Sequence, residues 1–118
     1  MPLTKDFSET VRERAAHDTV FRRGLLSEAV GCLLAGEVGP GKIILRNYIN
    51  ATIGFEQLAT ATGIPSKSLM RMFGPNGNPL ARNLFDVIGH LQRAEGVHME
   101  VSLSKASKAP RTTRRRVA

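Results

Sequence analysis

The chain holds a single cysteine, Cys32, no tryptophan and one tyrosine, and only 5% of its residues are aromatic. One cysteine excludes a disulfide within the chain and any zinc site built on paired cysteines, and it fits a reducing compartment. The shortage of aromatics argues against a stacking platform for single-stranded nucleic acid. No apolar run approaches the roughly 20 residues that span a bilayer, and the first twenty residues lack an apolar signal core. A cytoplasmic protein without a membrane role is therefore expected. His17, His90 and His98 are scattered, and no pair stands at ligand spacing with a carboxylate, so no metal or other cofactor is expected. The sequence also lacks a nucleophile–base pair and paired catalytic carboxylates, so the expected role is binding and regulation, not catalysis.

Hydrophobic residues make up 42% of the 118, enough for one domain with its own core. The net charge of +7 is unevenly placed. Six of the 17 basic residues (Lys105, Lys108, Arg111, Arg114, Arg115 and Arg116) lie in 104–118, where there is no acid, and residues 1–103 balance to +1. A basic tail attracts phosphates in a salt-sensitive way but carries no sequence preference of its own.

The periodicity is that of helices. Residues 5–17 read as a first helix, with Asp6 and Ser8 near its start. Residues 18–35 read as a second, with Asp18 as N-cap, Gly36 as stop and Phe21, Leu25, Leu26, Ala29, Val30 and Leu33 at amphipathic spacing. GEVGPGK at 36–42 reads as a break. A third helix is expected at 42–53, with Ile43, Ile44, Tyr48 and Ile49 inward. Two short helices follow at 55–62 and 65–73, then a GPNGNP loop at 74–79 and a last helix at 80–95 with Leu84, Val87, Ile88 and Leu91 inward. At 97–103 the period changes to two: Val97, Met99, Val101 and Leu103 alternate with His98, Glu100 and Ser102, a strand pattern. A lone strand is unstable, so it should pair with another chain or dock on the helices. The tail from 104 should be disordered.

The functional signal lies in FEQLATATGIPSKSLMRMFG at 55–74. Two short helices crossing tightly need a small residue at the crossing, a residue tolerant of positive φ at the turn, and apolar residues that clamp them. Ala59, Gly63 and the set Leu58, Ile64, Leu69 and Met72 supply these, with Pro65 and Ser66 starting the second helix and Ser66 as its expected cap. Ser66, Lys67, Met70 and Arg71 then point outward, the face that enters a major groove. Arg71 suits a guanine or a phosphate, Lys67 a phosphate, Ser66 and Ser68 either, and Met70 a thymine methyl. Asn76 and Asn78 in the loop, and Arg82 with Asn83 opening the last helix, are candidates for phosphate contact. No acid lies between Glu56 and Asp86. Gly36–Lys42 imitates a nucleotide-binding loop, but Ile43 stands where a metal-binding Ser or Thr belongs.

Residues 43–95 resemble a λ-repressor-like (XRE-type) helix-turn-helix domain, on the pattern G-x-E-x-L-A-x-x-x-G-I at 54–64, the Gly77-Asn78-Pro79 loop and the apolar helix ending in Gly96-Val97. Residues 1–101 further resemble addiction-module antidote, or HigA-like, antitoxins through ILRNYINAT, SLMRMFGPNGNP and ARNLFDVI. Phe55 stands where a phosphate-binding Gln is common, Thr62 at a usually apolar position, and Pro65 in place of a Ser/Thr cap. The resemblance implies a homodimeric repressor that binds double-stranded operator DNA of its own promoter and neutralises a RelE/ParE-like toxin protein. A stand-alone regulator without a toxin, or an interaction module that has lost DNA binding, are the alternatives. The expected architecture is all-α: an N-terminal helical segment at 1–36 for dimer or partner contact, the DNA-binding bundle at 37–96, a strand at 97–103 and a disordered basic tail at 104–118.

Overall fold

A computed structural model describes residues 2–106, with side chains from Glu9 onward. The described chain is all-helical: α1 (Pro2–His17), α2 (Thr19–Leu34), α3 (Val38–Ala51), α4 (Gly54–Thr62), α5 (Ser66–Met72) and α6 (Ala81–Glu95). α1, α2 and α3 pack on one another, α3 leads into α4, and α4 packs against both α5 and α6. None of these helices is long and apolar enough to cross a membrane.

Local chemistry accounts for both ends of α2. Asp18 caps α2 by accepting the Phe21 N–H at 3.0 Å. This backbone bond, more than the nearby Arg14, lowers the Asp18 pKa against a smaller opposing effect of burial. Gly36, at φ 86°, takes the chain out of α2 in the left-handed conformation that other residues resist.

The stretch expected to be a break is largely helix, because α3 starts at Val38 rather than at 42. Pro40 falls in its first turn, where the missing N–H has no intrahelical partner to lose. Gly41 is a crossing point: a Cβ there would lie 2.9 Å from Leu33 Cδ2 and 3.1 Å from the Ala29 carbonyl of α2. The crossing fixes the rotation of α3. Gly41, Leu45, Tyr48 and Ile49 face inward, and Ile43, expected in the core, is 56% exposed.

One core unites Leu26 and Ala29 of α2 with Leu45, Tyr48 and Ile49 of α3, Phe55 and Leu58 of α4, Leu69 of α5, Phe73, and Val87, Ile88 and Leu91 of α6. Cys32 is buried in α2, as a small apolar residue would be.

A buried carboxylate ties three helices together. Glu95, its side chain only 4% exposed, accepts Arg22 Nε at 2.9 Å and Arg23 Nε at 3.1 Å, and the Tyr48 hydroxyl donates to it. Arg22 also reaches back to the Ala15 carbonyl of α1 at 3.1 Å. Burial alone would raise the Glu95 pKa, but donation by Arg22, Tyr48 and Arg23 outweighs it and holds the carboxyl below its ordinary range. Burial, followed by the bond to Glu95, raises the Tyr48 phenol. None of this was expected from the sequence, because Arg22, Arg23, Tyr48 and Glu95 are brought together only by the packing of α2, α3 and α6.

The strand expected at 97–103 does not form: residues 97–106 have no regular secondary structure. The alternation is present, but no second strand exists among the described residues to pair with it. Gly96, at φ 76°, ends α6, and the chain then leans on its last turn. The Val97 N–H donates to the Gln92 carbonyl at 3.0 Å and the Met99 N–H to Gln92 Oε1 at 2.8 Å. Val97 and Met99 pack against the core. Of the tail, residues 107–118 lie outside the described residues.

Candidate nucleic-acid interface

The site is built on the turn between α4 and α5. Gly63 sits at φ 79° and its N–H donates to the Ala59 carbonyl at 2.8 Å, closing α4 with a left-handed residue. Thr62 earns its usually apolar position by satisfying the turn: its hydroxyl donates to the Leu58 carbonyl at 2.9 Å and accepts the Ile64 N–H at 3.2 Å. Leu58 and Leu69 are fully buried, and Ala59, Ile64 and Met72 pack against the same core, so the expected clamp is assembled. Phe55 is also core, its ring 6.3 Å from that of Phe73. It offers no polar group at the start of α4.

With that clamp set, Lys67, Met70 and Arg71 lie exposed on the free face of α5. Lys67 and Arg71 have no ion-pair partner among the described residues. Ser66 differs from expectation. It is the first residue of α5, not its cap; Pro65 holds the cap position without a side-chain bond. The Ser66 hydroxyl instead donates to Glu56 Oε2 at 3.4 Å. An acid therefore stands beside the start of α5, where it disfavours a phosphate.

The loop after α5 completes the surface. Gly77 closes onto the end of α5, where any Cβ would overlap the Arg71 and Met72 carbonyls. Its N–H donates to the Gly74 carbonyl at 3.1 Å. Lys42 secures the loop from below: 7% exposed, its ammonium donates to the Gly74 and Gly77 carbonyls at 3.0 and 2.7 Å. Among the described residues no carboxylate is paired with Lys42, so its charge adds to a positive potential under the loop. The lysine inside the apolar start of α3 was the only sequence signal of this role, and it fell within the stretch that imitates a nucleotide loop.

The result is a groove of about 330 Å³ lined by Ser68, Arg71, Asn76, Asn78 and Asn83 over a floor of Ile64 and Met72. The structure thus gathers Ser68, Arg71, Asn76 and Asn78 around one concavity. It sets Lys67 and Met70 on the adjoining face of α5 and leaves Arg82 exposed at the start of α6, outside the groove lining. Groups of this kind, amides and a guanidinium above an apolar floor, can bind phosphate oxygens and base edges together.

A larger groove of about 550 Å³ runs past Arg22, Arg23, Tyr48 and Glu95. Its charged groups already satisfy one another, so it offers a ligand little. No cluster that could hold a metal occurs among the described residues. Neither a protein-family model, nor a curated protein, nor a solved structure matches this chain.

Proposed function

We propose that the chain is a λ-repressor-like helix-turn-helix protein, a sequence-specific repressor that binds double-stranded operator DNA as a homodimer. The observation that carries this reading is the groove joining Ser68 and Arg71 of α5 to Asn76 and Asn78 of the following loop. Beside it lie the exposed cations Lys67 and Arg82, with no acid paired to either. The left-handed turn at Gly63 and the buried Leu58–Leu69 clamp support the motif. In this reading α5 lies in the major groove, Arg71 and Met70 meet base edges, Lys67 holds the backbone, and the Asn76–Asn78 loop meets a phosphate.

The chain further acts as the antitoxin of a type II toxin–antitoxin pair, with the RelE/ParE-like toxin as its protein partner. The resemblance of ILRNYINAT, SLMRMFGPNGNP and ARNLFDVI to HigA-like antitoxins supports this role. α1 and α2 supply a helical surface outside the DNA-binding part.

The test is salt-titrated binding to DNA upstream of the gene. Arg71→Ala should cost about 1–3 kcal/mol of operator affinity, and Lys67→Ala should lower the salt slope by about one unit. Unchanged affinity and slope in both variants would sink the DNA reading. Co-purification with the product of the adjacent reading frame tests the toxin; a chain that binds the operator but no such protein is a stand-alone regulator.

A further inference from the structure

In the segment after α6 pattern and conformation disagree, a strand alternation without a strand. Val97 and Met99 lean on the core, but Val101 and Leu103 are 77% and 97% exposed. The Val97 N–H donates to the Gln92 carbonyl in the cap of α6, and the Met99 N–H donates to the Gln92 side chain. The backbone groups of His98, Glu100 and Ser102 make no hydrogen bond among the described residues, which leaves an unpaired edge. That edge is a ready template for another strand.

We infer that this edge pairs with the same segment of a second copy of the chain, as an antiparallel ribbon centred on Met99. Polar complementarity selects the occupant and the register. With Met99 opposite itself, His98 faces Glu100 of the second copy and Glu100 faces its His98, which places two donor–acceptor pairs on the polar side. Within one chain the same groups already approach, His98 Nε2 lying 3.8 Å from Glu100 Oε2, with both side chains about four-fifths exposed. A ribbon centred on residue 100 would set Glu100 against Glu100, and one centred on 98 would set His98 against His98. A shift of half a step would oppose apolar to polar residues along the whole ribbon.

The apolar side is self-complementary too. Val101 of each copy comes opposite Val97 of the other. There it meets a groove of about 220 Å³ lined by Arg23, Leu26, Ser27, Val97, Met99 and Glu100. With the Met99 N–H turned to Gln92, Met99 forms a non-hydrogen-bonded pair with its symmetry mate, while His98 and Glu100 make the ladder bonds. The pairing explains why the strand pattern is written into a chain whose described residues hold no second strand. It does not rest on the DNA reading, and its test uses no DNA.

The test is cysteine cross-linking of the full chain in a Cys32→Ala background, with sedimentation velocity on the unmodified chain. Non-hydrogen-bonded neighbours have Cα atoms about 4.5 Å apart, within reach of a disulfide. Met99→Cys should therefore cross-link under mild oxidation faster than Leu103→Cys, although Leu103 is far more exposed. The unmodified chain should sediment as a dimer that dissociates on dilution. His98→Glu should weaken the dimer about tenfold, and adding Glu100→Lys should restore it. These two residues are exposed, so the variants keep the fold. A monomer at all concentrations, cross-linking that simply follows exposure, or a dimer indifferent to His98→Glu would each overturn the proposal.

Discussion

Two arginine-bearing regions of this molecule use the same chemistry in opposite ways. At the α2–α3–α6 junction, Arg22 and Arg23 are spent on Glu95, and Tyr48 adds its hydroxyl to the same carboxylate. Along α5 and the loop after it, Arg71, Lys67, Asn76 and Asn78 stay exposed, and among the described residues no acid is paired with either cation. The first arrangement buries charge and fixes how helices meet. The second leaves charge free to meet something from outside. Residue type alone does not distinguish a structural arginine from a binding one; what lies within hydrogen-bond distance does.

The comparison can be broken at several points. The largest effect is expected from Glu95→Ala, which strands Arg22 and the Tyr48 hydroxyl. It should lower unfolding free energy by about 3 kcal/mol in a denaturant titration, while operator affinity of the folded fraction stays near the parent value. If Glu95→Ala left stability intact, the junction would not be the structural lock described here.

Lys42 links the two regions, since it is buried like Glu95 but serves the exposed loop. Lys42→Met keeps the apolar stem and leaves the Gly74 and Gly77 carbonyls without donors, at a cost of about 1–3 kcal/mol in stability. Operator binding should fall with it, read by the same salt-titrated assay, because the loop carrying Asn76 and Asn78 loses its anchor. Loss of stability with unaltered binding would confine Lys42 to the core.

Acid should act on the junction first. The folded-state pKa of Glu95 lies below its unfolded value of about 4.3, so its contribution is present above that pH. It is lost as pH falls through the folded value. A stability–pH profile should decline below about pH 4, and Glu95→Gln should flatten that decline.

The smallest effect on the fold should come from Arg71→Ala, within about 0.5 kcal/mol, as for other surface changes without partners. The contrast sharpens if the variant that costs most in stability leaves DNA binding alone, and the one that weakens DNA binding leaves stability alone.

Legibility followed the range of the interactions. Capping by Asp18, the turn at Gly63 and the Leu58–Leu69 clamp were visible because each involves residues close in the chain. Helix phase was less so. Ile43 and Leu45 are equally apolar, and only the approach of Gly41 to α2 decides which faces inward. Ser66 read as a cap, but a neighbouring acid on α4 took its hydroxyl.

The sequence by itself determined that the described chain is helical, where its tight turn lies, and which side of α5 stays polar, because periodicity, glycine conformation and local hydrogen bonding act over a few residues. Tertiary structure alone decided that GPGK is the start of a helix and that Lys42 braces the loop after α5. It alone made Glu95 a buried hub rather than a surface acid, because Lys42 and Glu95 meet partners tens of residues away. It also withheld a strand from 97–103, since a strand needs a neighbour that the described chain does not contain.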